Sequence, residues 1–241
     1  MRVDSLSYFS SSDDLPCMYA GNMASSDKYD NHFFFWLFPK TYSATEECSS
    51  DCPLIIYLNG GPGSTSMNAL FTENGPLRIT QSGDKDENSY KITYEPENAW
   101  SAAGDLLFID QPVGTGWSYG SHAATSLNEI GNDFVTFLKN FYTEFPQYWD
   151  RELVLTGESF GGKYLSYAAN AILDSNNAAE DSAKKFNLKS LILSNPLVDV
   201  PTERVNQHHL GYALGLYDDF QTEQLETLRK NCEEGPGRNY T

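Results

Sequence analysis

The chain has 241 residues, 40% hydrophobic and 14% aromatic, and its 33 acidic against 16 basic residues leave a formal net charge of -17. That apolar content excludes wholesale disorder, and the length suits one large α/β domain or two small ones. The charge argues against nucleic acid or an anionic membrane surface as partner, and no apolar run approaches the roughly 20 residues of a membrane-spanning helix.

Met1 to Asp14 is polar and Ser-rich, without the apolar stretch of a signal peptide. The N-terminal third then reads as strands: Met18–Met23, His32–Phe38 with its crowded aromatic and aliphatic residues, and Pro53–Asn59, closed by Gly60-Gly61-Pro62-Gly63. Asp105–Asp110 is another such run, closed by Gln111-Pro112-Val113-Gly114. Short continuous apolar runs of this kind predict strands buried on both faces, as in a parallel sheet. Ser126 to Phe145 predicts an amphipathic helix: Ile130, Phe134, Phe137, Leu138 and Phe141 recur at helical spacing, Ser126 and Asn128 are candidate caps, and Pro146 follows the end. Arg151–Thr156 is the next strand, Lys163–Leu173 a helix, Asp174–Lys185 a polar connection and Leu188–Ser194 a strand. Asn206 to Asn231 reads as two helices broken around Tyr217-Asp218-Asp219. Strands alternating with helices predict an α/β fold with a mostly parallel sheet and flanking helices.

Among the cysteines Cys17, Cys48, Cys52 and Cys232, Cys48 and Cys52 flank Ser49-Ser50-Asp51, a spacing that allows a local disulfide. No second Cys/His pair stands at metal-ligand spacing, so neither a metal nor a cofactor is expected. Asn239-Tyr240-Thr241 is the single N-glycosylation sequon.

The chemistry concentrates at Gly157-Glu158-Ser159-Phe160-Gly161, a G-x-S-x-G turn between a predicted strand and a predicted helix. A serine on such a corner stands exposed, and bulky residues two before or after it would clash, hence Gly157 and Gly161. The helix N-terminus offers free backbone N–H groups to an oxyanion, that of Phe160 first. Asn59-Gly60-Gly61-Pro62-Gly63 lacks the spacing of a dinucleotide loop and the Lys-Ser/Thr of a phosphate loop. A Gly-Gly turn at a strand end instead lets backbone N–H groups approach a reacting carbonyl.

With these elements the chain resembles the serine carboxypeptidase family, which has the α/β-hydrolase fold and vacuolar, lysosomal and Golgi members. The matching segments, in family order, are Met18–Gly21, Phe34–Trp36, Asn59–Gly63, Glu73–Pro76, Asp110–Gly116, Gly157–Tyr164 and Asn195–Asp199. The resemblance implies a peptide substrate that loses its C-terminal residue through an acyl-enzyme on Ser159. It implies an oxyanion hole from the N–H groups of Gly61 and Phe160, and a site for the substrate's terminal carboxylate on Asn59, Gly60, Glu73 and Glu158. Two glutamates and a substrate carboxylate cannot all ionise cheaply in one place, so protons are expected to be shared among them. Tyr57, Ser64, Phe160 and Gly161 stand where the family more often has Trp, Cys, Tyr and Ala, so the family disulfide at Ser64 is not expected. A vacuolar, lysosomal or secretory-pathway location is implied by resemblance alone.

A serine nucleophile needs a base and an orienting acid, which in this fold follow it in the order Asp, then His. Downstream of Ser159 the only histidines are His208 and His209, in a predicted helix where a solvated face is the expected setting. His32 and His122 precede Ser159. The glycine-rich segments that carry the family's Asp and His are not found. Residues 1–200 thus read as the N-terminal part of a hydrolase core that is incomplete at its C-terminal side. Residues 201–241 read as the start of a helical insertion. Three explanations follow: a second chain carrying Asp and His, a fragment of a longer protein, or a non-catalytic relative acting as an interaction module. Within the enzyme class, an acyltransferase would use the same serine and oxyanion hole. Glu73 and Glu158 favour peptide hydrolysis.

Overall fold

The computed structural model describes residues 1–3, 6, 7, 9, 16–40, 52–81, 90–199, 203 and 206–234, with side chains only to 231 at the C-terminal end. It divides into two compact units, Met1–Pro196 and Leu197–Thr241. The first unit contains β1 (Tyr19–Ala24), β2 (Asn31–Phe38), β3 (Leu54–Leu58), α1 (Met67–Thr72), β4 (Leu77–Gln81) and β5 (Tyr90–Tyr94). These are followed by β6 (Asp105–Asp110), β7 (Tyr119–Gly120), α2 (Leu127–Glu144), β8 (Leu153–Glu158), α3 (Gly161–Ala178) and β9 (Leu188–Ser194). The main sheet is ordered β1-β2-β6-β3-β8-β9, with β7 on β2, while β4 and β5 form a separate antiparallel hairpin. β6, β3, β8 and β9 are mutually parallel; β2 runs antiparallel to β6, and β1 runs antiparallel to β2. This is the α/β fold with a mostly parallel sheet and flanking helices that the alternation of strands and helices predicts, and the α/β-hydrolase architecture that the resemblance implies.

The period of two along each strand divides the core. Phe33, Phe35 and Leu37 of β2 and Leu54, Ile56 and Leu58 of β3 pack with Phe134, Phe137, Leu138 and Phe141 of α2 and Leu165 and Ile172 of α3. The alternate residues Phe34, Trp36 and Phe38, with Ile55 and Tyr57, face the other side and pack with Ala69 and Leu70 of α1, Leu77 of β4 and Ile92 of β5. All residues of β3 and β6 are therefore buried, which is why they read as continuous apolar runs.

Helix α2 begins where a cap was expected: Ser126 accepts the Glu129 N–H at 3.2 Å, and the Glu129 carboxylate accepts from the Thr125 N–H at 2.8 Å. Helix α3 runs to Ala178, five residues beyond the expected end at Leu173. Its last turn is held from outside: the Asn176 amide donates to the Phe186 carbonyl and accepts from the Phe186 N–H, both at 2.8 Å. The β4–β5 hairpin, α1 and β7 had no signal in the apolar pattern. β9 ends the main sheet with Leu191 39% and Ile192 49% exposed.

In the second unit, α4 (Gln207–Ala213) and α5 (Asp219–Glu234) flank the expected break at Tyr217–Asp219. His208 is buried there rather than solvated, its Nε2 2.9 Å from Glu226 on α5. Cys52 is disulfide-bonded and Cys17 is free. Cys48, the Cys232 side chain and the sequon at 239–241 lie outside the described residues. No helix of the described residues is long and apolar enough to cross a membrane.

Candidate active site

The parallel pairing of β3 with β8, Leu58 opposite Gly157, carries two loops off the same sheet end side by side. After β8 the chain turns on Ser159, whose φ of 56° lies in the left-handed region, and α3 starts at Gly161. A non-glycine residue in that conformation is costly, and it is the strained corner expected of an exposed serine. The turn is fixed by the Ser159 N–H to the Ser194 carbonyl at 3.1 Å and the Gly162 N–H to the Ser159 carbonyl at 3.0 Å. Ser159 is exposed. The Phe160 N–H stands at the head of α3, where a helix provides no acceptor for it.

The glycines here answer to space. A Cβ on Gly60 would lie 2.7 Å from both the Glu158 carbonyl oxygen and the Phe160 nitrogen, and 2.9 Å from Ser159 Cβ. Cβ atoms on Gly157 and Gly161 would lie 2.5 and 2.8 Å from the Leu58 carbonyl oxygen. Backbone therefore meets backbone around the nucleophile, and Gly61 follows with φ 111°. Asn59 shapes the same loop: its side-chain oxygen accepts the Gly60 N–H at 2.8 Å and its amide donates to the Thr65 carbonyl at 3.3 Å. Its own N–H donates to Ser66 Oγ at 3.1 Å.

Beneath the loop lies Asp110, fully buried at the end of β6. One carboxylate oxygen accepts from the Thr65 hydroxyl at 2.6 Å and the Ser66 N–H at 2.9 Å, and the other from the Trp117 N–H at 3.1 Å. Burial raises its pKa, opposed by those three hydrogen bonds. In the sequence, Asp110 stands out only as the end of the Asp105–Asp110 run and the start of the Asp110–Gly116 segment. Tyr164 also ties helix to loop, its hydroxyl accepting the Gly63 N–H at 3.2 Å.

Glu158 precedes the serine, and Glu73 sits at the end of α1, where the Arg78 guanidinium holds the Glu73 carbonyl at 2.7 Å. The two carboxylates meet at Tyr57, which the sequence marks only as standing where the family more often has Trp. The Tyr57 hydroxyl lies 3.3 Å from Glu73 Oε2 and 3.5 Å from Glu158 Oε2. Burial, followed by the charges of Glu73 and Glu158, raises the Tyr57 pKa far above its usual value, so the phenol stays protonated.

No hydrogen bond joins Ser159 to a histidine among the described residues. His32 pairs with Asp30 at 2.9 Å and His122 with Glu129 at 2.7 Å. His208, His209 and Glu226 have donor atoms within 4.8 Å of one another. Glu226 is nevertheless committed to Arg229, at 2.7 Å from two guanidinium nitrogens, with Lys230 at 3.7 Å. The Arg229 hydrogen bond leads in holding its carboxyl down at about 2. A carboxylate so matched to cations is poorly suited to a metal ion.

Comparison with known proteins points to one family. The family model described as serine carboxypeptidase matches residues 13–239. Pheromone-processing carboxypeptidase KEX1 of Candida glabrata is 36% identical over 187 residues, covering 77% of this chain and 24% of the relative. The KEX1 of a Saccharomyces cerevisiae strain is 32% identical over 238 residues, covering 91% of this chain and 31% of the relative. The crystal structure of the KEX1 prohormone-processing carboxypeptidase from Saccharomyces cerevisiae superposes with a TM-score of 0.78 at 30% identity, covering 96% of this chain and 51% of that one. The chain thus spans about a quarter to a third of the length of these curated relatives. A strand–serine–helix corner against a glycine loop, and a family match along nearly all its residues, make this chain a member of the serine carboxypeptidase family.

Proposed function

We propose that this chain carries the nucleophile and the substrate-carboxylate site of a serine carboxypeptidase that releases C-terminal residues from peptides. Ser159 Oγ attacks the last peptide carbonyl, forming a tetrahedral oxyanion that the N–H groups of Gly61 and Phe160 receive. Collapse expels the C-terminal residue as its free amine and leaves an ester on Ser159, which water then hydrolyses. Asn59, Gly60, Glu73 and Glu158 hold the terminal carboxylate and so select chain ends. The histidine that takes the serine proton, and the aspartate that orients it, come from residues outside these 241, in a longer polypeptide or a second chain.

The observation that carries this reading is the convergence of two glutamates, through Tyr57, next to the strained serine. A general esterase needs no paired carboxylates at that point, whereas a protonated glutamate can donate to a peptide's terminal carboxylate. The pair likewise favours hydrolysis of free-ended peptides over acyl transfer to an alcohol. Family membership supports residues 1–200 as the N-terminal part of the core and residues 201–241 as the start of a helical insertion. It also supports a Golgi, vacuolar or lysosomal setting.

N-blocked dipeptides with a free or an amidated C-terminus test the proposal at acidic pH. The intact protein bearing this sequence should hydrolyse the free-ended peptide, take up a fluorophosphonate probe, and lose about 10⁴-fold or more in kcat with Ser159→Ala. The 241-residue chain alone should show no turnover. Probe uptake without any preference for the free carboxylate would defeat the carboxypeptidase reading, and no uptake would favour an interaction module.

A further inference from the structure

Helices α2 and α3 touch closely at one point and border a cleft beyond it. A Cβ on Gly131 would lie 2.7 Å from the Tyr167 carbonyl oxygen and 3.4 Å from Ala171 Cβ, so the helices meet there almost backbone to backbone. Toward their C-terminal ends they line a cleft of about 700 Å³ with Val135 and Ala171 among its apolar walls. That volume lies within the range of small-molecule sites, and a gap between packed helices is one of their usual places. Ala171 stands ten residues along α3 from Gly161, about 15 Å at 1.5 Å per residue, so the cleft is separate from the serine corner.

One wall of the cleft is held in place from behind. Trp149 is half-buried and lines it, with Phe186 stacked on its ring at 5.2 Å and Tyr142 edge-on at 4.9 Å. Phe186 is itself fixed, because Asn176 grips both its carbonyl and its N–H at 2.8 Å. Lys184, also on the cleft, sits on the short turn Ser182–Lys184, where the Asp181 carboxylate accepts the Ala183 N–H at 2.9 Å. An indole and an ammonium group are therefore presented by a braced connection, and a ligand arriving there would have little ordering to impose.

The charges on the cleft select the ligand. Lys139 of α2 and Lys184 both border it, and among the described residues neither makes an ion pair. The chain has 16 basic against 33 acidic residues, so two lysines without an ionic partner on one cleft stand out. Asp174 faces the same space, and its carboxylate already accepts the Asn170 amide at 3.2 Å. We propose that the α2–α3 cleft is a second binding site, for a small organic anion with a flat apolar body: the body lies against Trp149, Val135 and Ala171, and the anionic group meets Lys139 and Lys184. The site goes beyond the carboxypeptidase reading and does not depend on it.

The probe is anilinonaphthalene sulfonate, which has a flat aromatic body, one negative charge and a fluorescence that rises on binding. Titrations of the intact protein compare wild type, the double variant Lys139→Gln/Lys184→Gln, and Ser175→Phe. Ser175 is half-buried on the cleft, so the added ring fills the space without changing the charge. Wild type should bind the dye saturably, loss of both lysines should weaken binding about tenfold, and Ser175→Phe should remove that binding. A free-ended dipeptide should not displace the dye. Binding that is unchanged in Ser175→Phe overturns the site, since dye held elsewhere is untouched by this change. Binding weakened by Ser175→Phe but equal in the lysine variant overturns the choice of an anion. Displacement by the dipeptide places the dye at Ser159 and overturns a second site. None of these readouts needs turnover, and thermal unfolding checks that each variant keeps the fold.

Discussion

Asp133 lies in α2, buried and away from the serine, and its carboxyl is pushed up to about 6. Burial is the main cause and the charge of Glu129 the second, with a hydrogen bond from Asn31 and the charge of His122 opposing them. A carboxyl whose folded pKa exceeds its unfolded value binds its proton more tightly in the folded state. Its stabilising contribution is full below the ordinary carboxylate range and is lost as pH rises through about 6. Asp133→Asn, which cannot ionise, should therefore lose less stability than wild type between pH 4 and pH 6.5 or so. Urea midpoints across that range check this, and parallel curves for the two proteins would contradict it. At this scale the sequence was legible where chemistry dictates the residue type: Ser159 must be a serine, and Gly157 and Gly161 must be small because the Leu58 carbonyl is under 3 Å from any Cβ there. Asp110 and Tyr57 were illegible for the opposite reason. Their roles depend on donors and acceptors from other segments of the chain, Thr65 and Ser66 in one case and Glu73 and Glu158 in the other.

For elements, the same distinction separates α2 from α3. Helix α2 declares itself because its cap, its apolar stripe and its stop are all local: Ser126 at the start, Phe134 to Phe141 within, and Pro146 beyond the end. Ser126→Ala should cost about 1 kcal/mol of stability, within a range of about 0.5–2, by leaving the Glu129 N–H without its acceptor. Equilibrium denaturation measures it, and Ser126→Asp should restore most of the loss. The last turn of α3 is polar and was read as a connection, because it is anchored by Asn176 to the backbone of Phe186 and not by apolar periodicity. The β4–β5 hairpin hides for a related reason. Among the described residues of β4 and β5, only Leu77 and Ile92 have buried side chains, too few to write an alternating pattern.

At the scale of the whole molecule, the fold class was legible from strand–helix alternation, and the resemblance added the identity of the loops. The remaining question is what β9 meets. Its exposed Leu191 and Ile192 stand on a parallel strand that closes the sheet path with one backbone edge unpaired among the described residues. Such an edge recruits strands from other molecules unless it is charged or covered. The isolated 241-residue chain is expected to self-associate with rising concentration, and Ile192→Lys to reduce that association. Sedimentation velocity would show the difference, and equal association of the two chains would shift attention away from β9.

The carboxylate of Asp110 has a mechanical consequence. It grips Thr65 and Ser66 on the segment after the glycine turn and Trp117 on the segment after β6. Gly116 allows that grip, since a side chain there would collide with the carboxylate. Two stretches of chain more than forty residues apart are thereby riveted to one pivot at the rim of the sheet. A load placed on either stretch is shared by the other, so a peptide entering beside Gly61 would press on a frame and not on a free-swinging flap.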